Sequence, residues 1–172
     1  MAANLPTICA PGPVVDERSR VLILGTFSGW NSARRNEYYA CSGNVFWRIW
    51  GSILEFPPAA PYAHRVARLL KSGIALWNVC VGPIRDASTN DFTQFFELHP
   101  GIDLIFFNGT QARGIYNHRV LRYLTYRWHG VPFEVLPSTS PLYSAMSFDE
   151  KLARWRAAFG RGQEGGSLLV SK

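Results

Sequence analysis

The chain has few of the residues that build metal sites and disulfide frameworks. It contains only three cysteines in 172 residues, Cys9, Cys41 and Cys80, and they form no CxxC motif. Three cysteines cannot all pair, and their spacing excludes a four-cysteine iron–sulfur cluster and the usual cysteine-based zinc sites. We therefore expect free thiols in a reducing compartment, no bound metal and no other cofactor.

Long apolar runs are also missing. The longest, such as Val21–Leu24, are far shorter than the roughly 20 residues that cross a bilayer as a helix. The first residues lack the basic start and apolar stretch of a secretion signal. We expect a cytoplasmic protein without a membrane partner, and a monomer.

Charged residues are scarce, at 17%, whereas 47% of the residues are hydrophobic and 14% are aromatic. Disordered chains have the opposite balance, so this composition indicates a large buried core. The length suits one domain over residues 1–172. Residues 1–13, rich in proline, are expected to form an arm, and residues 160–172, rich in glycine, a flexible tail.

The net charge of +6 is unevenly distributed. Residues 1–112 contain 9 Lys and Arg against 8 Asp and Glu, and residues 113–172 contain 9 against 4. An excess of this kind is typical of a surface that binds an anionic polymer. It is equally typical of a solvated basic face, and charge alone leaves both interpretations open.

Apolar runs and helical patterns alternate along the chain. Four runs are nearly continuous, as in strands buried on both faces of a parallel sheet: Arg20–Gly25, Gly73–Asn78, Ile102–Asn108 and Pro132–Leu136. Helical spacing is found in Asn44–Leu54, Tyr62–Leu70, Asn90–Leu98, Thr110–Asn117 and Phe148–Phe159. The alternation predicts an α/β fold, a three-layer α/β/α sandwich around a central four-stranded parallel sheet.

The predicted strands end in polar but uncharged residues. Ligands of open parallel sheets bind beyond the carboxyl ends of the strands. Two of these ends are Asn78 and Asn108, and the other two are loops rich in glycine, serine and threonine. Such a set suits hydrogen bonds to a neutral heterocycle better than it suits a metal or a triphosphate.

Five segments in order resemble the uracil-DNA glycosylase superfamily, and among its branches the hypoxanthine-DNA glycosylases. They are Leu22–Gly29 (LILGTFSG), Tyr38–Trp47 (YYACSGNVFW), Gly73–Asn78 (GIALWN), Phe106–Ala112 (FFNGTQA) and Leu136–Leu142 (LPSTSPL). The resemblance implies an enzyme that flips a deaminated base out of DNA and hydrolyses its N-glycosidic bond. It implies DNA containing deaminated bases as the partner, a free base such as uracil as the product, and no covalent intermediate.

By this resemblance the catalytic residues are Thr26, Phe27 and Asn44. Backbone N–H groups at Thr26 and Phe27 would face a base carbonyl. Phe27 stands where relatives place an aspartate or asparagine that positions the attacking water. The resemblance assigns that task to Asn44 instead. The Asn44 amide can orient water but is a poor proton acceptor. Asn44 also suits a helix cap. Asp86 is a candidate replacement base, although a salt bridge with Arg85 explains it more economically.

The resemblance also assigns base-binding residues. Phe46 would stack on the extruded base, unless it is a core residue, and Tyr39 would line the pocket beside Tyr38 and exclude a 5-methyl group. The Asn78 amide would pair with the edge of uracil, unless it merely forms a turn that ends the strand. Hypoxanthine-type relatives tend to carry aspartate at this position, so the asparagine favours uracil over hypoxanthine. Asn108 would contact the base or water, or simply form an Asn-Gly turn.

DNA contacts are expected from the last loop and the closing helix. This loop lacks the histidine that some relatives use to stabilise the departing base. By the resemblance, Ser138, Thr139 and Ser140 would bind phosphates or donate to the base, and Leu142 or Tyr143 would be the wedge that replaces the flipped nucleotide. The charges assign Lys151, Arg154 and Arg156 to phosphates. An ordinary turn and a solvated helix face are the alternatives.

Three functions therefore remain open. The first is a monofunctional glycosylase acting on uracil, and the second is a glycosylase acting on hypoxanthine or on several deaminated bases. The third is a non-catalytic module that binds DNA lesions, which Phe27 and the missing histidine favour.

Overall fold

The computed structural model describes residues 11–82 and 88–164 and contains a four-stranded parallel sheet with strand order β2-β1-β3-β4. The strands are β1 (Val21–Gly25), β2 (Ile74–Asn78), β3 (Leu104–Asn108) and β4 (Phe133–Leu136). Every strand lies parallel to its neighbours. The predicted fold class is confirmed, and each strand begins one or two residues later than expected.

Helices cover both faces of the sheet and complete three layers. They are α1 (Trp30–Arg35), α2 (Phe46–Leu54), α3 (Tyr62–Lys71), α4 (Phe92–Leu98), α5 (Thr110–Arg119) and α6 (Phe148–Glu164), with two 3₁₀ turns at Leu121–Tyr123 and Tyr126–Trp128. Helices α4 and α5 pack on one face, and α2, α3 and α6 pack on the other. Helix α1 and the 3₁₀ turns have no counterpart in the prediction.

The central strands are apolar throughout because each residue faces a helical layer. Along β1, Leu22 and Leu24 point towards α4 and α5, and Val21 and Ile23 point towards the opposite layer. All of β1, β2 and β3 is buried. Alternation of side chains across a strand explains why a doubly covered sheet needs continuous apolar runs.

Strand β4 departs from the prediction of burial on both faces. Phe133 and Val135 are 49% and 37% exposed. The reason is that β4 is an edge strand, so the helices cover it only in part. The Arg113 guanidinium lies 3.8 Å from the centre of the Phe133 ring and shields part of it.

The closing helix is longer than predicted and corrects part of the expected tail. Residues 160–164 belong to α6. Helix α6 passes close to the sheet at Gly162. If this residue had a Cβ, that atom would lie 3.2 Å from Leu104 Cδ2, so a glycine fits here better than a larger residue. Residues 1–10 of the arm, the rest of the tail and the Arg85–Asp86 pair lie outside the described residues.

Two classes of feature are absent from the part of the chain that the structure describes. None of its helices has the length and apolar character needed to span a bilayer. Nor do its histidine, cysteine, aspartate and glutamate side chains form a group of three or more that could hold a metal ion.

The strand order determines where the loops meet. The chain leaves β1 for β2 on one side and later returns to β3 on the other side of β1. A reversal of this kind opens a crevice at the carboxyl ends of the two central strands. The loops after Gly25 and Asn108 therefore face each other across that crevice.

Candidate active site

A cavity of about 480 Å³ lies at the carboxyl edge of the sheet. Its walls come from the strand ends and from the segment before α2, and they include Gly25–Gly29, Tyr38–Tyr39, Asn44, Asn78, Asn108 and Ser138–Leu142. The described residues that line it carry no carboxylate, imidazole, ammonium or guanidinium group. Apart from the thiol of Cys41, which also lines the cavity, these residues offer hydrogen bonds, dipoles and aromatic surfaces rather than charged side chains.

Asn78 ends β2 and is 3% exposed. Its Nδ2 donates to Ser28 Oγ at 2.7 Å, and its backbone carbonyl accepts from Asn90 Nδ2 at 2.8 Å. Asn78 and Gly25 are paired in register, and a Cβ on Gly25 would lie 2.7 Å from Asn78 Oδ1. The amide can occupy this part of the cavity wall because residue 25 has no side chain.

The aromatic wall of the cavity is Tyr39 rather than Phe46. The Tyr39 ring stacks on the Phe46 ring with a centroid distance of 3.9 Å and an interplanar angle of 18°. Phe46 is fully buried. The prediction that Phe46 stacks directly on a base is therefore wrong for this conformation, because Tyr39 covers its face. Tyr38 is anchored behind this wall, with its hydroxyl donating to the backbone carbonyls of Pro11 and Gly12.

The hydroxyl of Tyr39 is a polar group with no well-formed hydrogen bond among the described residues, although the Asn108 side chain is close enough to affect its pKa. It is buried and lies beside Gly25, where a Cβ would be 3.2 Å away. Burial raises the pKa of Tyr39 to about 12, an effect that the nearby Asn108 side chain partly offsets. The phenol thus remains a protonated donor at neutral pH, and buried donors in native proteins normally find an acceptor.

Asn108 and Thr139 form a closed hydrogen-bonded pair. Asn108 Nδ2 donates to Thr139 Oγ1, and Asn108 Oδ1 accepts from the Thr139 N–H, both at 2.9 Å. The Thr139 carbonyl accepts from the Val45 N–H at 3.0 Å. Thr139 has no exposed surface, so the prediction that it contacts DNA is wrong. Asn108 lines the cavity, but it also holds the last loop against the end of β3.

Replacing Thr139 with valine is expected to lower stability by about 2 kcal/mol, because Asn108 Nδ2 loses its acceptor in a buried site. For a chain of this size that corresponds to a decrease in Tm of about 6 °C in a thermal melt. Ser138→Ala is the matched control, since among the described residues the Ser138 hydroxyl accepts one long bond of 3.3 Å, from the Ser140 N–H within its own loop. Equal melting temperatures for the two variants would show that the pair contributes nothing to stability.

Asn44 forms a local cap before α2 and lines the cavity, and its predicted catalytic role stays a prediction. Its Oδ1 accepts from the Phe46 N–H at 3.0 Å, which stabilises the start of α2. The residue is half-buried and lines the cavity. Capping through Oδ1 leaves the two donors of Nδ2 as the groups that a water or a ligand could meet.

Thr26 and Phe27 both line the cavity. Thr26 Oγ1 lies 3.5 Å from Gln111 Oε1, at the limit of a hydrogen bond, and Phe27 also packs against the core on the α4 and α5 side. Their predicted catalytic roles stay predictions.

The last loop presents one apolar side chain to solvent at the mouth of the cavity. Leu142 is 93% exposed, whereas Tyr143 is half-buried. Ser138 and Ser140 are also half-buried and line the cavity. Of the two candidates for the wedge, Leu142 is the more exposed, and its role in DNA stays a prediction.

The basic residues of α6 separate into buried and exposed groups. Lys151 is 5% exposed, and its Nζ donates to the Tyr143 carbonyl at 2.7 Å. Burial lowers the pKa of Lys151. The predicted phosphate contact of Lys151 is therefore wrong, because its ammonium group holds the last loop from inside. Arg154 and Arg156 are exposed and remain candidates for phosphates.

Sequence reasoning missed the helix that follows the first loop. Helix α1 begins directly after Gly29 of the cavity wall and carries Trp30, which is 58% exposed. Arg34 and Arg35 lie in its last turn. The signal in the sequence was a tryptophan beside a glycine loop and two consecutive arginines, but six residues are too few for a clear helical period.

Three comparisons with known proteins agree with this architecture. The sequence model of the Uracil DNA glycosylase superfamily matches residues 13–159. A hypoxanthine DNA glycosylase of Methanosarcina barkeri is 32% identical over 159 residues, covering 87% of this chain and 96% of the relative. One of Methanosarcina acetivorans is 33% identical over 156 residues, covering 85% and 94%. A solution NMR structure of a candidate uracil DNA glycosylase from M. acetivorans has a TM-score of 0.72 and 30% identity, covering 91% of this chain and 98% of that one.

Proposed function

Because the chain belongs to the uracil DNA glycosylase superfamily and is a DNA glycosylase, we propose that it removes uracil from DNA. Hydrolysis of the N-glycosidic bond leaves an abasic site and free uracil. The observation that carries the proposal is the buried amide of Asn78, which lies on the wall of an uncharged cavity.

The hydrogen-bonding groups of the Asn78 amide are complementary to those of the base edge that deamination of cytosine creates. Uracil presents a carbonyl next to an N–H, and Asn78 can accept from that N–H through Oδ1 and donate to the carbonyl through the N–H of Nδ2 that Ser28 does not use. Cytosine presents the reverse pattern. A buried mismatch leaves polar groups unpaired, so a site of this kind rejects the undamaged base strongly.

Hypoxanthine is the second candidate substrate. It carries the same pair of carbonyl and N–H on its six-membered ring, so Asn78 alone does not separate it from uracil. The names of the two Methanosarcina relatives favour it. The asparagine at the end of β2 favours uracil, since hypoxanthine-type members tend to have aspartate at the position of Asn78.

The remaining lining residues supply a route to hydrolysis without an ionised group. The base lies edge-on to the Tyr39 ring, next to its hydroxyl, and Phe46 supports that ring from one face. As the bond from the base to C1′ breaks, its electron pair leaves with the base, and the Tyr39 hydroxyl donates to the negative charge on the base carbonyl. A water oriented by Asn44 adds to C1′, and its proton passes through solvent to the departing base.

A panel of short duplexes tests this proposal. Each duplex carries one uracil, hypoxanthine, xanthine or T·G mismatch, and alkaline cleavage of abasic sites reports single-turnover rates. We expect the highest rate with uracil, and Asn78→Asp should reduce the preference for uracil over hypoxanthine by about tenfold or more. A higher rate with hypoxanthine would select the second candidate. Binding without cleavage of any duplex by folded protein would instead indicate a non-catalytic module.

The rate of base removal is expected to vary little between about pH 5.5 and pH 8. The described residues lining the cavity have no carboxyl or imidazole group to titrate in that range. The raised pKa of Tyr39, about 12, keeps its phenol protonated throughout. Single-turnover rates in buffers of constant ionic strength measure the profile. An acidic limb would mean that a carboxylate such as Asp86 acts as a general base, and Asp86→Asn should then remove the limb.

A further inference from the structure

A second exposed surface lies at the opposite edge of the sheet from the cavity. Helix α5 starts at the carboxyl end of β3 and runs back along the sheet for ten residues, about 15 Å. Strand β4 then begins at Phe133, which pairs with Ile105 near the amino end of β3. Residues 120–132 therefore connect α5 to β4 at the amino edge.

This connection presents two tyrosines and two arginines to solvent. Tyr123 is 73% exposed and Tyr126 is 91% exposed, and Arg122 and Arg127 are also exposed. We refer to these four residues as the Arg-Tyr surface. The sequence contains no aspartate or glutamate from residue 104 to residue 133. Two exposed rings therefore lie beside two exposed cations in a stretch of the chain that has no acidic residue.

The Arg-Tyr surface is attached to the core at two points. Leu124 and Trp128 are buried within the segment, and Trp128 stacks on Phe96 with a centroid distance of 5.0 Å and an angle of 19°. His129 Nε2 lies 3.0 Å from the Leu124 carbonyl, which closes the second 3₁₀ turn. The tyrosines are thus held outward by a well-packed scaffold rather than exposed on an unstructured loop.

We propose that the Arg-Tyr surface binds a single-stranded segment of DNA while the cavity remains free. Unpaired bases stack on Tyr123 and Tyr126, and Arg122 and Arg127 bind the phosphates beside them. Aromatic rings between cations are the combination that binds single strands without sequence preference. A duplex offers phosphates but no free base faces, so it leaves the tyrosines without partners.

The charge around the surface also favours a nucleic acid over a protein partner. A cleft of about 290 Å³ borders Tyr123, and its one carboxylate among the described residues is Asp91. That carboxylate accepts from the Gln94 N–H at 3.0 Å and caps α4. The cations of the Arg-Tyr surface are therefore not balanced by nearby carboxylates of the described residues, and this charge attracts an anionic partner such as a nucleic acid.

Titration of the isotope-labelled full chain with an oligonucleotide of eight thymidines tests the proposal. We expect amide chemical shifts to change in residues 120–130, and to change equally when a duplex with a non-cleavable 2′-fluoro-deoxyuridine fills the cavity. Fluorescence anisotropy should show that Arg122→Ala with Tyr126→Ala weakens binding of the oligonucleotide by about tenfold. Base removal from a short duplex should keep its rate in this double variant.

Two control variants test whether binding of the oligonucleotide depends on stacking and on the position of the cations, rather than on the net charge of the protein. Tyr126→Phe keeps the ring and should bind normally. Lys71→Ala removes one exposed cation at the end of α3, on the other face of the sheet, and should have little effect. Shifts confined to the cavity, or equal affinities for the double variant and the native chain, would overturn the proposal. Self-association that is lost in the double variant, without a change in DNA binding, would also overturn it and identify a protein interface.

Discussion

Asn44→Ala is expected to reduce the single-turnover rate of base removal by about 100-fold while lesion binding falls far less. The residue lines the cavity and its Oδ1 already serves the start of α2, so its free amide donors are the groups available to orient water. Loss of one preorganised hydrogen-bonding group in an active site has effects of about this size. Quench-flow measurements at saturating enzyme give the rate, and anisotropy with a non-cleavable duplex gives the affinity.

Asn44→Asp is the matched variant, because a carboxylate can keep the hydrogen bond from the Phe46 N–H. We expect native stability from this variant and a rate that now depends on pH, since the new group can act as a base above its pKa. Equal losses of rate and affinity in Asn44→Ala, together with a lower Tm, would instead make Asn44 a purely structural cap.

Gly25→Ala is expected to lower kcat/KM for a lesion duplex by about 100-fold or more. The new Cβ would lie 2.7 Å from Asn78 Oδ1 and 3.2 Å from the Tyr39 hydroxyl, so the groups proposed to read and stabilise the base must both move. A displacement of about 1 Å in an active site is sufficient for a loss of this size. Steady-state cleavage of the uracil duplex measures the effect.

Gly29→Ala provides the control for this substitution. Gly29 also lines the cavity, but a Cβ there would meet nothing within 4 Å. This variant should retain nearly native kcat/KM. Similar losses in the two variants would mean that the loop needs glycine for its backbone and not for the space beside Asn78.

The layers of the fold could be predicted because they depend on local patterns. Continuous apolar runs identified the four strands, and the strand–helix alternation allowed only a parallel sheet with helices on both faces. The ends of the elements were less accurate. The glycines at 160 and 162 predicted a tail, yet the chain stays helical to Glu164, and Gly162 passes close to Leu104 of the sheet.

The site could be predicted only as far as its backbone location. Strand ends placed Asn78 and Asn108 at one edge of the sheet, and both line the cavity. Side-chain direction could not be predicted, because it depends on residues distant in sequence. Tyr39 covers the ring of Phe46. The Tyr39 backbone has a positive φ of 56°, and no local sequence pattern predicts that conformation.

Burial of single polar residues could not be predicted from the sequence either. Lys151 lies in a polar stretch of α6, where a lysine is normally solvated. Its burial depends on the Tyr143 carbonyl, which meets its ammonium group only after the last loop has folded over the helix. The sequence likewise does not reveal the burial of Thr139, since its partners Asn108 and Val45 come from other elements.

The position of Thr139 also has a dynamic consequence. Its N–H is held by Asn108 and its carbonyl by the Val45 N–H, so the loop that carries Leu142 and the segment that carries Asn44 share one buried anchor. Segments joined in this way open as one cooperative unit. The amide protons of Val45 and Thr139 should therefore exchange with deuterium at a common opening free energy, and the exposed leucine cannot detach from the fold without also releasing the asparagine.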